Sequence, residues 1–258
     1  MYATERHQRI LDELEAAGRV SVASLSRTFD VTAETVRRDL DALEAAGALR
    51  RVHGGAVRRI SPVEPGLRER EQRNGPAKRR IARAARDLIT SAGPTSITLD
   101  AGTTTGALAD LLVDHVPADG SLDVVSNAIP VVLALQDNPR LVVHAVGGVV
   151  RPETSAAVGA AALDAFAGVR CDLAFVGANG LSAGFGLSTP DEREAAVKSA
   201  MIRCARRAVA LVDASKFGTE AFIRFAALET LDVLITDRAP DDDLAAALDV
   251  AGVEVVVA

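Results

Sequence analysis

The sequence predicts two unlike parts: a small all-α head closed by a β-hairpin, then a larger α/β body built on a parallel sheet. Three observations predict this. In the first 60 residues, apolar positions recur at helical spacing in three short segments, and a Gly-Gly turn separates two β-rich runs. From residue 96 onward, short apolar runs alternate with helical patterns, the grammar of βαβ units. Charge divides along the same line. Residues 1–86 carry 18 Lys+Arg against 12 Asp+Glu, and residues 87–258 carry 11 against 23. The net charge of −6 is thus a +6 part joined to a −12 part, the asymmetry of a polyanion-binding module on a separate body.

The head reads in order. Residues 4–17 place Ile10, Leu11, Leu14 and Ala17 on one helical face, with Thr4 as cap and Gly18 as stop. Arg19–Val22 is a short extended link. Ser21 caps a second helix whose inward face is Val22, Leu25 and Phe29. Asp30-Val31 turns the chain. Thr32 caps a third helix with Val36, Leu40, Leu43 and Ala46 inward and Gly47 at its end. Ala48–Val52, the turn His53-Gly-Gly and Ala56–Arg59 form the hairpin. The octapeptides Leu11–Gly18 and Leu40–Gly47 differ at one position, as two amphipathic helices ending at Gly converge on one pattern.

Two Pro and a Gly in Ser61–Gly66 make a linker. The chain therefore divides into a head at 1–60, a linker at 61–76 and a body at 77–258. A charged stretch, Leu67–Arg73, precedes a helix over 77–91 with Ile81, Ala85, Leu88 and Ile89 inward. Seven strands are expected: Ser96–Leu99, Leu122–Val125, Leu141–Val146, Leu173–Val176, Ala208–Val212, Val233–Ile235 and Val253–Val257.

Composition removes several functions. Aromatic residues are 3% with no Trp, which disfavours a reader of stacked single strands. Cys171 and Cys204 form no CxxC or Cys/His cluster, so reduced buried thiols are expected and neither a zinc site nor any other cofactor. No apolar run reaches the ~18 residues of a membrane span, and the N-terminus is no signal peptide. A cytoplasmic protein with no membrane partner is expected.

Three helices and a hairpin in some 55 residues fit a winged helix-turn-helix, whose third helix enters the major groove. With Val36 and Leu40 inward, Glu34, Arg37 and Arg38 point outward, and Thr32 and Thr35 stand on the leading turns. Arg suits guanine edges or phosphate, and Thr suits phosphate or a thymine methyl. The candidate contacts to double-stranded operator DNA are Ser21, Thr32, Glu34, Thr35, Arg37, Arg38, Arg51 and His53. Asp39 stands beside the arginines as a local partner that would blunt them.

In an open α/β sheet, ligands bind beyond the carboxyl ends of the strands. Polar residues recur there: Asp100–Thr105, Ser126-Asn127, Arg151, Asn179, Asp213–Lys216 and Asp237. Asp100-Ala-Gly-Thr-Thr-Thr opening a helix reads either as an anion cradle or as a plain cap. It is neither a Walker A nor a GxGxxG sequence, so nucleotide readings are weak. Thr189-Pro-Asp-Glu192 reads as a capped helix start. Glu194 and Lys198, four apart, read as a surface pair or as ligand groups.

The head resembles the DeoR/GlpR family of bacterial repressors, whose signature stands here as Arg6, Ile10, Leu14, Thr32 and Thr35-Val-Arg-Arg-Asp-Leu40, with Arg51-Val-His-Gly-Gly-Ala56 following. The resemblance continues through LDAGTTT, SNA, VGGVVR, DLAFVGANG, GLST, EAAVK and DASKFG, over nearly all 258 residues. It implies a Rossmann-like sheet similar to ribose-5-phosphate isomerase and other sugar-phosphate isomerases. It also implies an effector that is a phosphorylated sugar or polyol. Asp100, Gly102, Thr103, Thr104 and Thr105 would line the phosphate pocket, with Asn127, Arg151, Lys198 and Lys216 nearby. The expected function is a transcriptional regulator, a repressor of a sugar or polyol operon, acting as a homodimer or higher oligomer and not as an enzyme. The alternative is a sugar-phosphate isomerase fused to a DNA-binding module, with Asp100, Asp191 or Glu194 and Lys198 as its acid–base groups.

Overall fold

The structure, a computed structural model, describes residues 3–45, 48–52, 54–58, 66–114 and 120–258. The expected stop at Gly47, the hairpin-tip residue His53 and most of the 61–66 linker lie outside the described residues.

The head consists of α1 (Ala3–Ala17), β1 (Arg19–Ser21), α2 (Val22–Phe29), α3 (Ala33–Ala45), β2 (Leu49–Val52) and β3 (Gly55–Arg58). Ile10, Leu14, Leu25, Phe29, Val36 and Leu40 meet in one apolar core. Ser21 caps α2 as expected, its Oγ accepting the Ser24 N–H at 3.0 Å. The link after α1 is more than a link. As β1 it pairs antiparallel with β3, so the wing is a three-stranded sheet in the order β1-β3-β2. Gly55 permits that pairing, since a Cβ there would lie 2.0 Å from the Val20 carbonyl oxygen. Asp39 does not blunt the neighbouring arginines. It lies three residues from Val36, on the inward face, where Oδ2 accepts from Arg6 Nε at 2.5 Å and Oδ1 from an Arg6 Nη at 2.9 Å. His7 Nε2 lies 3.0 Å from the same Oδ1. Two members of the signature, Arg6 and Asp39, are therefore one buried fork that joins α1 to α3.

The charged stretch 67–73 folds as α4 (Leu67–Gln72), with no buried residue. After it comes α5 (Gly75–Ala92), which starts two residues earlier than its apolar pattern because Pro76 suits a first turn. The body continues with β4 (Ser96–Leu99), α6 (Thr103–Leu112), β5 (Leu122–Ser126), α7 (Ile129–Leu135) and β6 (Leu141–Ala145). Two short strands, β7 (Val149–Arg151) and β8 (Ala156–Val158), pair with each other before α8 (Ala160–Ala167). Next are β9 (Cys171–Gly177), β10 (Gly180–Ser182), β11 (Gly186–Thr189), α9 (Glu192–Cys204) and β12 (Ala205–Leu211). The chain ends with β13 (Ile223–Ala226), β14 (Val233–Thr236), α10 (Asp242–Val250) and β15 (Glu254–Val257).

All seven apolar runs become strands of one parallel sheet, ordered β15-β14-β12-β9-β4-β5-β6. Helices α5, α6 and α7 cover one face and α8, α9 and α10 the other, each with its own apolar core. The chain starts at β4 and runs outward to β6, then returns to β9 on the other side of β4 and runs outward again. The order reverses between β4 and β9, and a crevice opens at their carboxyl ends. A second small sheet, β10-β11-β13, lies beyond those ends. Cys171 and Cys204 are buried free thiols. Among the described residues no helix is long and apolar enough to cross a membrane.

Removing one member of a buried ion pair strands the other, at a cost of about 3–5 kcal/mol. Asp39→Ala is expected to destabilise the head by that order, whereas exposed Arg38→Ala should change stability by less than about 0.5 kcal/mol. Burial pushes the Asp39 carboxyl up, but Arg6 and His7 outweigh it and hold the group below its ordinary value. Its contribution is then complete above about pH 4 and lost as pH falls through the lowered value. Denaturant titrations of both variants and an acid titration of the head's helical signal check this.

Candidate functional site

The leading turn of α3 is presented to solvent. The Thr32 Oγ1 accepts the Thr35 N–H at 3.2 Å and lies 2.9 Å from the Thr35 hydroxyl, so the two threonines form the cap. Arg37 and Glu34 are exposed and pair loosely at 3.3 Å across one turn. Arg38 is exposed, with no partner among the described residues. Arg51 stands differently. Its guanidinium donates to Asp41 and, at 3.1 Å, to the Arg37 carbonyl, while its N–H meets Glu44 at 2.7 Å. Arg51 therefore braces β2 against α3. Ser21, at the cap of α2, is exposed. His53 is outside the described residues.

At the β4/β9 reversal the chain builds a cavity of about 940 Å³. Its floor is the carboxylate of Asp100, which is 1% exposed. One oxygen accepts the Gly102 N–H at 2.8 Å and the Thr105 hydroxyl at 2.5 Å. The other accepts the Gly177 N–H at 2.8 Å and pairs with Lys198 Nζ, which also donates to the Gly177 carbonyl at 3.0 Å. Burial pushes this carboxyl up, yet Lys198, Thr105 and Gly177 together hold it below its ordinary value. The Lys198 ammonium also lies 5.5 Å from the centre of the Phe225 ring. Gly102 leaves room for the network: a Cβ there would lie 2.9 Å from Asp100 Oδ1.

The Thr-rich turn divides its labour. Thr103 and Thr104 line the cavity, whereas Thr105 is fully buried and bonds back to Asp100 and Gly102. Gly102 brings no side chain to cap α6, so among the described residues no side-chain acceptor caps that helix. Asn127 also lines the cavity. Its Nδ2 donates to the Ala157 carbonyl at 2.9 Å, and its buried Oδ1 has no partner.

Glu194 and Lys198 are not a surface pair. Both are buried, and each has a partner on another element. Glu194 accepts from Arg151 at 3.1 Å and from the Thr154 hydroxyl, and Arg151 Nε reaches Asp191 at 3.1 Å. The α9 cap is Asp191, accepting from the N–H groups of Arg193 and Glu194, and not Thr189, which ends β11 and donates to Asn179. Lys216 sits on a short 3₁₀ turn, Ala214–Lys216, and lines the cavity with Asp213 and Ser215. The structure thus brings all the expected effector residues to one crevice except Thr105, which supports it from behind. Any acid–base role for Asp100, Asp191, Glu194 or Lys198 would have to break these pairings.

Sequence reasoning missed one wall. Arg70, Arg73, Asn74 and Lys78, from α4 and the start of α5, also line the cavity. Asn74 donates to Asp213 at 3.0 Å and to the Ser215 hydroxyl at 2.9 Å. An Asn-Gly-Pro turn carries no binding signature, and its partners lie some 140 residues on.

Comparison with known proteins gives a consistent result over the whole chain. Residues 6–61 match the family described as DeoR-like helix-turn-helix domain, and residues 73–238 match the DeoR C terminal sensor domain. The chain is 37% identical to the HTH-type transcriptional regulator GlpR of Haloferax volcanii, over 99% of this chain and 98% of that one. It is 36% identical, over 92% of each chain, to an uncharacterized HTH-type transcriptional regulator FruR of Bacillus subtilis. It is 30% identical, over 93% of each, to the glycerol-3-phosphate regulon repressor of Escherichia coli. A solved ribose 5 phosphate isomerase A from Neisseria gonorrhoeae overlaps 55% of each chain at 13% identity, with a TM-score of 0.37. That overlap is loose, and the fold rests on the sheet itself.

Lys198→Met would leave the Asp100 carboxylate buried without its cation, so it is expected to cost about 3–5 kcal/mol. Adding Asp100→Asn should recover part of that loss, because the two changes touch one interaction. A double-mutant cycle from denaturant unfolding checks this, and strict additivity would disprove the coupling.

Proposed function

We propose that this chain, which belongs to the DeoR family of DNA-binding transcriptional regulators, represses a sugar or polyol operon and is controlled by a phosphorylated sugar or polyol bound in its α/β body. The observation that carries the reading is the crevice at the sheet's reversal point. There an uncapped helix N-terminus, cationic side chains and the unpartnered Oδ1 of Asn127 line one cavity of sugar-phosphate size. In this reading Gly102, Thr103 and Thr104 receive the phosphate, Asn127 takes a sugar hydroxyl, and Lys216 adds charge. Asp100, Thr105, Lys198 and Arg151 hold the walls in place. The name of the Escherichia coli relative ties that protein to a glycerol-3-phosphate regulon, and a polyol phosphate is a member of the same ligand class.

The head reads duplex DNA with Arg37 and Arg38 toward base edges and phosphates, and with Thr32, Thr35, Glu34 and Ser21 setting its position. Arg51 braces the wing against α3, and His53 remains a candidate DNA contact of the wing. Two heads of a self-associated protein would read the two halves of a palindromic operator. Control is by linkage: the ligand changes operator affinity only as far as it binds the DNA-competent and incompetent arrangements differently.

A thermal-shift panel of phosphorylated sugars and polyols, each beside its unphosphorylated parent, tests the ligand class. A true effector at a hundredfold excess over its dissociation constant should stabilise the protein by about 2.7 kcal/mol, and its parent should not. Arg37→Ala should abolish operator retention in a gel-shift with the fold intact. Arg38→Ala should weaken binding and lower the salt slope by about one. Unchanged retention by Arg37→Ala would overturn the assignment of α3.

A further inference from the structure

The chain's two cysteines lie together in the apolar core between the sheet and α8, α9 and α10. Cys171 is the first residue of β9 and Cys204 the last of α9. Ala205 stands opposite Cys171 in the pairing of β12 with β9, so Cys204 is one position off register. Strands lie roughly 4.8 Å apart and rise roughly 3.3 Å per residue, which puts the two Cα atoms about 6 Å apart. A disulfide spans about 4.4–6.8 Å between Cα atoms without moving the backbone. Both thiols are free and they are hydrogen-bonded to each other, and Cys204 Sγ in turn donates to the Met201 carbonyl at 3.2 Å. Their surroundings are unequal. The exposed side chains of Arg170 and Arg203 flank the pair, and an Arg170 Nη donates to the Arg203 carbonyl at 3.1 Å. The bond from Cys171 lowers the Cys204 thiol, with Arg170, the Cys204 N–H and Arg203 helping and burial opposing. The same bond raises Cys171, and burial, Cys204, Asp172 and Asp123 add to the effect. A thiolate is the reactive form, and it is favoured where a neighbour donates to the sulfur and cations stand near.

We propose that Cys171 and Cys204 are a redox-active dithiol, in which a hydroperoxide oxidises Cys204 and Cys171 then closes a disulfide between β9 and α9. The Cys204 sulfur attacks one peroxide oxygen and the O–O bond breaks. The departing oxygen takes up a proton and leaves as water or an alcohol, and Cys204 becomes a sulfenic acid. The Cys171 sulfur then attacks the Cys204 sulfur. The S–S bond forms, the S–O bond breaks, and the hydroxyl leaves as water with the Cys171 proton. Two electrons pass from the thiols to the peroxide. Cys204 is the more open residue, at 5% exposed against 2% for Cys171, so a small hydroperoxide fits as oxidant where a bulky disulfide does not. The dithiol stands at the amino end of β9, and the cavity opens at its carboxyl end. Gly177 at the end of β9 and Lys198 of α9 both hold Asp100, so the disulfide staples together two elements that carry the cavity floor.

Hydrogen peroxide is the probe, applied to the folded full chain. A thiol count taken afterwards in denaturant should fall from two to none, and dithiothreitol should restore both. The chain should be lighter by the two thiol hydrogens, and digestion without reductant should yield one cross-linked peptide pair holding Cys171 and Cys204. In Cys171→Ala, Cys204 should stop at the sulfenic acid and be captured by dimedone. In Cys204→Ala, Cys171 should keep its thiol under the same exposure. Survival of both thiols in the wild type, a disulfide between two chains, or dimedone capture at Cys171 in Cys204→Ala overturns the inference. The wild-type thiol count and peptide map need no substitution, so they decide the outcome even where an alanine in the core lowers stability.

Discussion

One buried carboxylate holds the functional end of the body together. Asp100 ends β4, and its two oxygens bind the first turn of α6 through Gly102 and Thr105, the end of β9 through Gly177, and α9 through Lys198. These elements lie on both faces of the sheet and on both sides of the point where strand order reverses. Backbone pairing fixes β4 beside β9 but says nothing about how the helices close over their ends. A single charged group with four partners does that, and it tolerates little error because each unsatisfied contact would be buried. The network ties α6 and α9 together at the floor of the cavity.

From that constraint follows a division of charge. On the α9 side, Lys198 faces Asp100, and Arg151 faces Glu194 and Asp191. Both cations are paired and serve as walls. On the α4 and α5 side, Lys78, Lys216, Arg70 and Arg73 line the cavity together with two occupied carboxylates, Asp213, bonded to Asn74 and Ser215, and Glu69, paired with Arg73. The cavity thus joins a flank whose cations all face carboxylates to a flank lined by more cations than carboxylates. In the proposed reading, a ligand with an anion at one end and hydroxyls at the other fits that difference between the flanks.

Much of this was legible in the residues. Each of the seven apolar runs became a strand of the sheet, because a parallel strand buried on both faces leaves a continuous apolar signal. The polar residues after those runs marked the crevice for the same reason: the sheet leaves only its strand ends open to a ligand. What sequence reading could not supply was the partner of a charge. Asp39, inside a stretch of arginines, looked like a surface residue until α1 brought Arg6 to it from 33 positions away. Glu194 and Lys198 looked like a helix-surface pair, yet each found its counter-charge on a different strand or loop. Lys78 stands in sequence beside Arg79 and Arg80, and only tertiary packing, which buries Lys78 and leaves the other two exposed, separates them. Burial is decided by non-local packing, and a charge changes its meaning when it is buried. The short strands β7, β8, β10, β11 and β13 escaped notice because three or four residues carry no period.

The same geometry explains why the head and the body belong on one chain. The segment Asp213–Thr219 lines the cavity through Asp213, Ser215, Lys216 and Thr219. Its Asp213 and Ser215 hold Asn74 at the start of α5, and its backbone forms the seat of the head. At Gly18, the residue that ends α1, a Cβ would lie 3.0 Å from the Ser215 carbonyl oxygen and 3.2 Å from that of Phe217. Arg19, the first residue of the wing sheet, pairs with Asp241 beyond β14. That ion pair is exposed and weak, whereas the close approach at Gly18 is steric. A steric seat sets position more sharply than an exposed ion pair, because repulsion rises steeply over a few tenths of an ångström. The head therefore registers the position of the same short segment that lines the cavity, with no intervening layer. The Gly at the end of α1 thus acts twice: its φ of +72° ends the first helix of the DNA-reading head, and its missing side chain lets that helix sit directly on the cavity wall.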